Sequence, residues 1–185
     1  MKEVLYNYDN LTLEDIDEVV TRTKGLIINS NNEITLGYSN KTYQFPGGYL
    51  ESGETLEECL LREIEEETGI KICDAKLKPF EKITYYNKNY HGSGKNRKNE
   101  IYYHIIKTNA KFDMSNAKLD DGEKEGNYTA KTIPLKDVEQ ILIDSIDNPI
   151  NEVIVEEMLD IFKEYKKYMK KIIKIKKILL MMYFI

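Results

Sequence analysis

Three glutamates, Glu63, Glu66 and Glu67, crowd the stretch Arg62-Glu-Ile-Glu-Glu-Glu-Thr-Gly-Ile70, and Glu54 lies upstream of them. At about 100° per residue the three fall within roughly 100° of arc on a helix. Carboxylates on one strip repel, at a few tenths of a kcal/mol (about 0.2–0.5) per like-charged pair. A hard divalent cation relieves that repulsion. Mg²⁺ prefers oxygen ligands and shares its sphere with phosphates and water. The chemistry on offer is therefore that of a hard-cation site able to share its ion with a phosphate group. The planar fork of Arg62 can hold a neighbouring carboxylate in a fixed orientation. Glu54 can support the cluster without touching the ion.

These side chains need a helix and a close backbone neighbour. Thr55 followed by Glu58 has capping-box spacing, which predicts a helix from Leu56. Gly69 stands where a C-terminal glycine stops one. Leu56, Leu60, Leu61 and Ile64 take the adjacent arc and are expected to face a core. Ahead of the helix, Phe45-Pro-Gly-Gly48 predicts a tight loop free of side chains, where bare backbone can approach a metal or a phosphate.

The whole segment, Gly48-Tyr-Leu-Glu-Ser-Gly-Glu54 followed after seven residues by Arg62 to Ile70, resembles the Nudix box, G-x5-E-x7-R-E-U-x-E-E-x-G-U. Every fixed position is filled. The resemblance implies an α/β fold, an α/β/α sandwich with a mixed β-sheet, and hydrolysis of a nucleoside diphosphate linked to another group. It implies Mg²⁺, with Mn²⁺ as an alternative, on Glu63, Glu66 and Glu67. The carbonyl of the residue before the box glycine, Gly47 in this chain, can join them. Arg62, Glu54, Glu66 and Glu67 are the expected catalytic group, with either Glu66 or Glu67 as base. Family members often use a glutamate from a later loop as well, and Glu123 and Glu125 are the candidates. The box leaves open whether the substrate is a nucleoside triphosphate, a dinucleoside polyphosphate, a nucleotide sugar or ADP-ribose. A Nudix module that senses a nucleotide without turnover is the alternative.

The flanks read as alternating strands and helices. Thr12 with Asp15 predicts a short helix or turn running toward Val20. Strands are expected over Val20–Asn29 and Ile34–Tyr38, across an Asn-rich turn, and again over Lys71–Tyr86 and Glu100–Thr108. Ile133-Pro-Leu-Lys-Asp-Val138 resembles the family's entry into a later helix. Asn148-Pro149 predicts a helix start, with Ile150, Ile154, Met158, Ile161, Phe162 and Tyr165 facing the core. The resemblance spans about 20–162. Residues 1–19 read as an N-terminal extension and 163–185 as a basic amphipathic tail.

Arginine is scarce, with only Arg22, Arg62 and Arg97. Arg22, Tyr85, Lys95 and Arg97 are candidate substrate contacts, because aromatics stack on bases and cations meet phosphates. Gly92-Ser-Gly94 gives the loop bearing Lys95 freedom to reach a ligand. The net charge of −5 excludes a general nucleic-acid binder and leaves a small nucleotide-type molecule as the partner. His91 and His104 lack a second ligand at metal spacing. Cys59 and Cys73 form neither a disulfide framework nor a zinc site and suit a reducing cytoplasm. The first residues, Met1-Lys-Glu-Val-Leu-Tyr, lack the apolar segment of a signal peptide. From Lys163 onward eight lysines face one acid, Glu164. That tail can dock on the acidic domain, pair with a second copy in a homodimer, or lie on an anionic membrane surface.

Overall fold

The computed structural model describes residues 1–72, 77 and 79–183, with backbone alone at 178 and 180–183. Its strands are β1 (Lys2–Tyr6), β2 (Glu18–Ile28), β3 (Glu33–Ser39), β4 (Thr42–Gln44), β5 (Pro79–Asn87), β6 (Arg97–Lys107) and β7 (Thr129–Pro134). Its α-helices are α1 (Leu56–Thr68), α2 (Asp121–Glu125), α3 (Val138–Asp144) and α4 (Pro149–Tyr183). The strands make one sheet in the order β1-β5-β6-β2-β3-β4, with β7 on β3. β2 runs parallel to β6 from Glu18↔Arg97 to Ile28↔Lys107, and β1 parallel to β5. The β5–β6, β3–β4 and β3–β7 pairs are antiparallel, so the sheet is mixed.

Helices cover both faces of the sheet. Successive residues of β2 point to opposite sides: Leu26 enters a large core with Leu36, Tyr103, Leu142, Met158 and Phe162, under α3 and α4. Ile27 enters a smaller one with Leu60, Ile64, Ile70 and Ile106, under α1. Each fully buried Leu or Ile contributes roughly 1.5–3 kcal/mol. Gly25 sets how closely α1 lies on the sheet, since a Cβ there would press on Ile106, Ile64 and Leu60. Among the described residues, no helix is long and apolar enough to cross a membrane.

Several expectations shift. The Thr12–Asp15 capping box closes only one 3-10 turn, Leu13–Asp15. Val19 and Val20 instead pair with Lys98 and Asn99 in β2, where β-branched side chains pack well. β5 starts at Pro79 rather than Lys71, and Cys73 lies outside the described residues. The core stripe of α4 holds at Met158, Ile161, Phe162 and Tyr165, with Ile154 packed against them, and departs from the expected one only in its first turn. Ile150 is 78 % exposed, whereas Asn151 and Val155 are buried. Asn151 takes the inner position because its Nδ2 donates to Thr42 Oγ1 (2.9 Å) and its Oδ1 accepts from the Asp147 amide. The segment 1–19 supplies the edge strand β1 and the start of β2. α4 continues through 163, with Tyr165 buried and Met169 packed on the same core.

Candidate active site

β3 pairs with β2 only at Ile27↔Thr35 and Ile28↔Ile34. Beyond that point the free edge of β2 is taken by the glycine loop. The Gly25 amide donates to the Pro46 carbonyl (2.8 Å), Thr23 to Gly48 (3.0 Å), and Leu50 to Thr21 (3.0 Å). The loop is thus pinned as an extra rung beside a buried strand. Gly47 adopts φ +139°, and a Cβ there would collide with the Thr23 carbonyl. A Cβ on Gly48 would occupy the place of the Glu63 carboxyl. Both glycines are required by close approach.

α1 starts and stops where the sequence indicates. The Thr55 Oγ1 accepts from the Glu58 amide (3.2 Å), and Glu58 accepts from the Thr55 amide (2.8 Å). Gly69 closes the helix in the left-handed region at φ 69°. On this scaffold Arg62 gathers the acids. Its Nε and Nη2 donate to both oxygens of Glu54 (2.7 and 3.0 Å), and its Nη1 to Glu63 (2.8 Å) and Glu66 (3.2 Å). Nη2 also donates to the Tyr49 carbonyl (3.1 Å), tying the loop to the helix. The Arg62 hydrogen bonds pull the Glu54 carboxyl down to about 2. Burial pushes Glu63 above its ordinary value against the pull of Arg62.

Glu67 is 6 % exposed. Its carboxyl accepts from the Gly47 amide (2.9 Å) and from the Tyr128 hydroxyl (3.1 Å). Burial, with Glu123 and Glu63 nearby, nevertheless pushes it up to about 8. Glu123, on α2, is brought beside Glu67 and is itself pushed up, chiefly by burial. Glu125 is exposed on the same short helix and is not brought to the cluster. Tyr128 was not anticipated from sequence. Its ring crosses the bare backbone of Gly37, where a Cβ would strike the hydroxyl. A glycine inside the alternating run Ile34-Thr-Leu-Gly-Tyr38 is the signal that marks such an approach.

Among the described residues no three acidic or other ligating side chains converge on one point at metal distance, because Glu63 and Glu66 are drawn to Arg62. The donor chemistry nonetheless fits a hard cation. It is all oxygen, and Arg62 pairs with Glu54, Glu63 and Glu66 while Glu67 and Glu123 lie beside each other. Gly47 itself meets Glu67 through its amide.

The remaining candidates separate. Arg22 lies at the rim of the glycine loop, its guanidinium 4.1 Å from the centroid of the half-exposed Tyr49 ring, and its buried Nε has no partner. Tyr85 turns to the other face of the sheet, where its hydroxyl donates to Glu157 (2.7 Å) and its ring stacks on Tyr6. Arg97 donates to Glu18 (2.6 Å) and lies over the Tyr90 ring at 3.9 Å, so it braces the loop. That loop is tied down despite its glycines. The Asn96 amide donates to Asp17 (2.7 Å), and its side chain donates to the Asp15 carbonyl (2.9 Å) and accepts from the Asn89 amide (3.0 Å). Lys95 stays exposed on it. His104 is buried against Thr23 (3.1 Å). The Cys59 thiol faces the Tyr49 carbonyl (3.2 Å) and is pushed up to about 12 by burial, which leaves it inert.

The family model described as NUDIX domain matches residues 19–153. The chain belongs to the Nudix family. Over 67 residues this Nudix chain is 40% identical to the 8-oxo-dGTP diphosphatase of Escherichia coli (strain K12), covering 33% of the chain and 50% of that protein. Over 49 residues it is 43% identical to the NAD-capped RNA hydrolase NudC of Vibrio parahaemolyticus, covering 24% of the chain and 19% of that protein. The chain thus spans half the length of the first relative and about a fifth of the second. A solved structure of C. elegans Ap4A hydrolase in a binary complex superposes with a TM-score of 0.51 at 15% identity, over 82% of this chain and 98% of that one. That likeness shows the Nudix fold.

Proposed function

We propose that this Nudix protein is a metal-dependent pyrophosphohydrolase, cleaving the pyrophosphate linkage of a nucleoside diphosphate joined to another moiety. The observation that carries the reading is the Arg62 hub, which holds Glu54, Glu63 and Glu66 on one side of α1 while Glu67 is buried against the Gly47 amide. Glu63, Glu66 and Glu67 would hold the cation, Mg²⁺ or Mn²⁺, with Glu123 adjacent. When bound, it supplies neutralisation of phosphate charge and an activated water.

The chain's own residues do the rest. Arg62 fixes the rotamers of Glu63 and Glu66 through Nη1, and Glu54 in turn fixes Arg62. Tyr128 and Gly47 both donate to Oε2 of Glu67 and so orient its carboxylate. Glu66 or Glu67 accepts the proton of the attacking water. Arg22, beside the loop, would meet a substrate phosphate with its guanidinium. The buried free thiol of Cys59 suits the reducing cytoplasm in which we place the protein.

The test is release of monophosphate and phosphate from nucleoside triphosphates, dinucleoside polyphosphates, a nucleotide sugar and ADP-ribose, with and without Mg²⁺. Turnover is expected only with the cation. It is expected to fall about 10²–10⁴-fold in Glu67→Gln, with the far-UV spectrum unchanged. Full turnover in Glu67→Gln would remove this residue from the mechanism. Nucleotide binding with no turnover across the panel would favour the sensing module.

A further inference from the structure

The last part of α4 runs along the edge of the domain and then past it, with Tyr168, Ile172 and Ile175 lining an open groove beside Met1, Lys2 and Phe80. Its buried residues end at Tyr165, with Met169 packed alongside. At 1.5 Å per residue, the stretch from Met169 to Tyr183 extends for about 20 Å. Lys163, Lys166, Lys167, Lys170, Lys171, Lys174 and Lys177 fall within about 140° of arc at helical spacing. Tyr168, Ile172, Ile175 and Leu179 fall on the opposite side, and Tyr168, Ile175 and Leu179 are exposed. Lys166 pairs with Glu139, and Lys163 and Lys167 pair with Asp160 and Glu164 on their own helix. Among the described residues, Lys170, Lys171, Lys174, Lys176 and Lys177 have no acid within ion-pair distance. Among the described residues, the acids of the domain therefore do not neutralise these lysines.

We propose that the helix over residues 166–179 lies flat on an anionic lipid bilayer, with Tyr168, Ile172, Ile175 and Leu179 in the interface and the lysines of the opposite arc, with Lys176 at the border, among the acidic headgroups. Charge decides between the available occupants. A second copy of the helix would bring two all-lysine flanks together, with no acid after Glu164 to compensate. An anionic surface neutralises the lysines while it buries the apolar face. The helix departs near Asn29, at the far end of β2 from the glycine loop. Six residues of strand separate Asn29 from Thr23, about 20 Å. Docking on a bilayer would leave the glutamate helix open to a water-borne substrate.

The experiment is co-sedimentation of the full chain with phosphatidylcholine vesicles, alone or with about one-third phosphatidylserine. Binding is expected only to the mixed vesicles and should be stripped by high salt. Lys170→Glu, Lys171→Glu and Lys174→Glu together should lower partitioning at least about 100-fold. Ile175→Ser with Leu179→Ser should lower it about 10-fold or more. Both variants should keep the wild-type melting temperature and wild-type nucleotide turnover. Equal binding to the two vesicle types would overturn the proposal, as would unchanged binding of the lysine variant. So would a dimer that loses its association in the serine variant while neither protein binds vesicles.

Discussion

At the scale of single residues, the site depends on atoms that are missing as much as on those present. Glu63 can lie against the glycine loop only because Gly48 has no Cβ. Gly48→Ala is therefore expected to displace the Glu63 carboxyl from its Arg62 contact. A shift of about 1 Å at such a group can cost about 10²-fold in rate. Steady-state turnover with Mg²⁺ checks this, and a melting temperature near wild type would show that the loss is local. Gly48 was legible in the sequence because the box requires a glycine there. Tyr128 was not, because it reaches Glu67 across 61 positions of sequence, and Gly37 signals a close approach without naming the ring that makes it.

At the scale of elements, two contacts set how the layers meet. Gly25 on β2 lets α1 sit down on the sheet. Gly25→Val adds methyls where Ile106, Ile64 and Leu60 already touch. Overpacking of this kind costs about 1–3 kcal/mol, which urea unfolding should register as a lower midpoint at unchanged slope. On the opposite face, α4 is fastened by Glu157. Its carboxylate accepts from the Tyr85 hydroxyl (2.7 Å) and from the Tyr103 hydroxyl, and pairs with Lys24 (3.5 Å). Burial alone would raise this carboxyl, but Lys24 and the two hydroxyls outweigh it and hold it below its ordinary value of 4.5. The folded value therefore lies below the unfolded one. Glu157 supports the fold above about pH 4.5, and that support is lost as pH falls through the folded value. Thermal melts of Glu157→Gln should show lower stability at pH 7 and a gap that narrows in acid. A constant gap across that range would mean that ionisation of Glu157 is not the source.

At the scale of the whole molecule, the sheet is longer than its catalytic part. β1 covers the edge of β5, with Tyr6 stacked on Tyr85 at 5.1 Å and Lys2 paired with the buried Glu81 at 2.9 Å. Removing residues 1–6 would bare an edge strand and leave Glu81 without its cation. The truncated protein should melt several degrees lower and aggregate more readily on heating, as light scattering would show. Turnover at low temperature should survive, since none of these residues touches the glutamate helix.

α1, its two caps, the glycine loop and the acids on the helix were legible along the chain, because these depend on neighbours within a few residues and on backbone freedom. So were the Asn148-Pro149 start of α4 and the strand pair across Asn29–Asn32. Which groups meet across the fold was settled by long-range packing. It placed the loop on the free edge of β2 and Tyr128 on Glu67. It turned Tyr85 away to Glu157 and gave Arg97 to Glu18. It also made residues 2–6 a strand and chose Asn151 over Ile150 for the interior. Each of these outcomes depends on pairing or burial between segments far apart in the chain. The balance there is between desolvation and a partner that local spacing does not reveal.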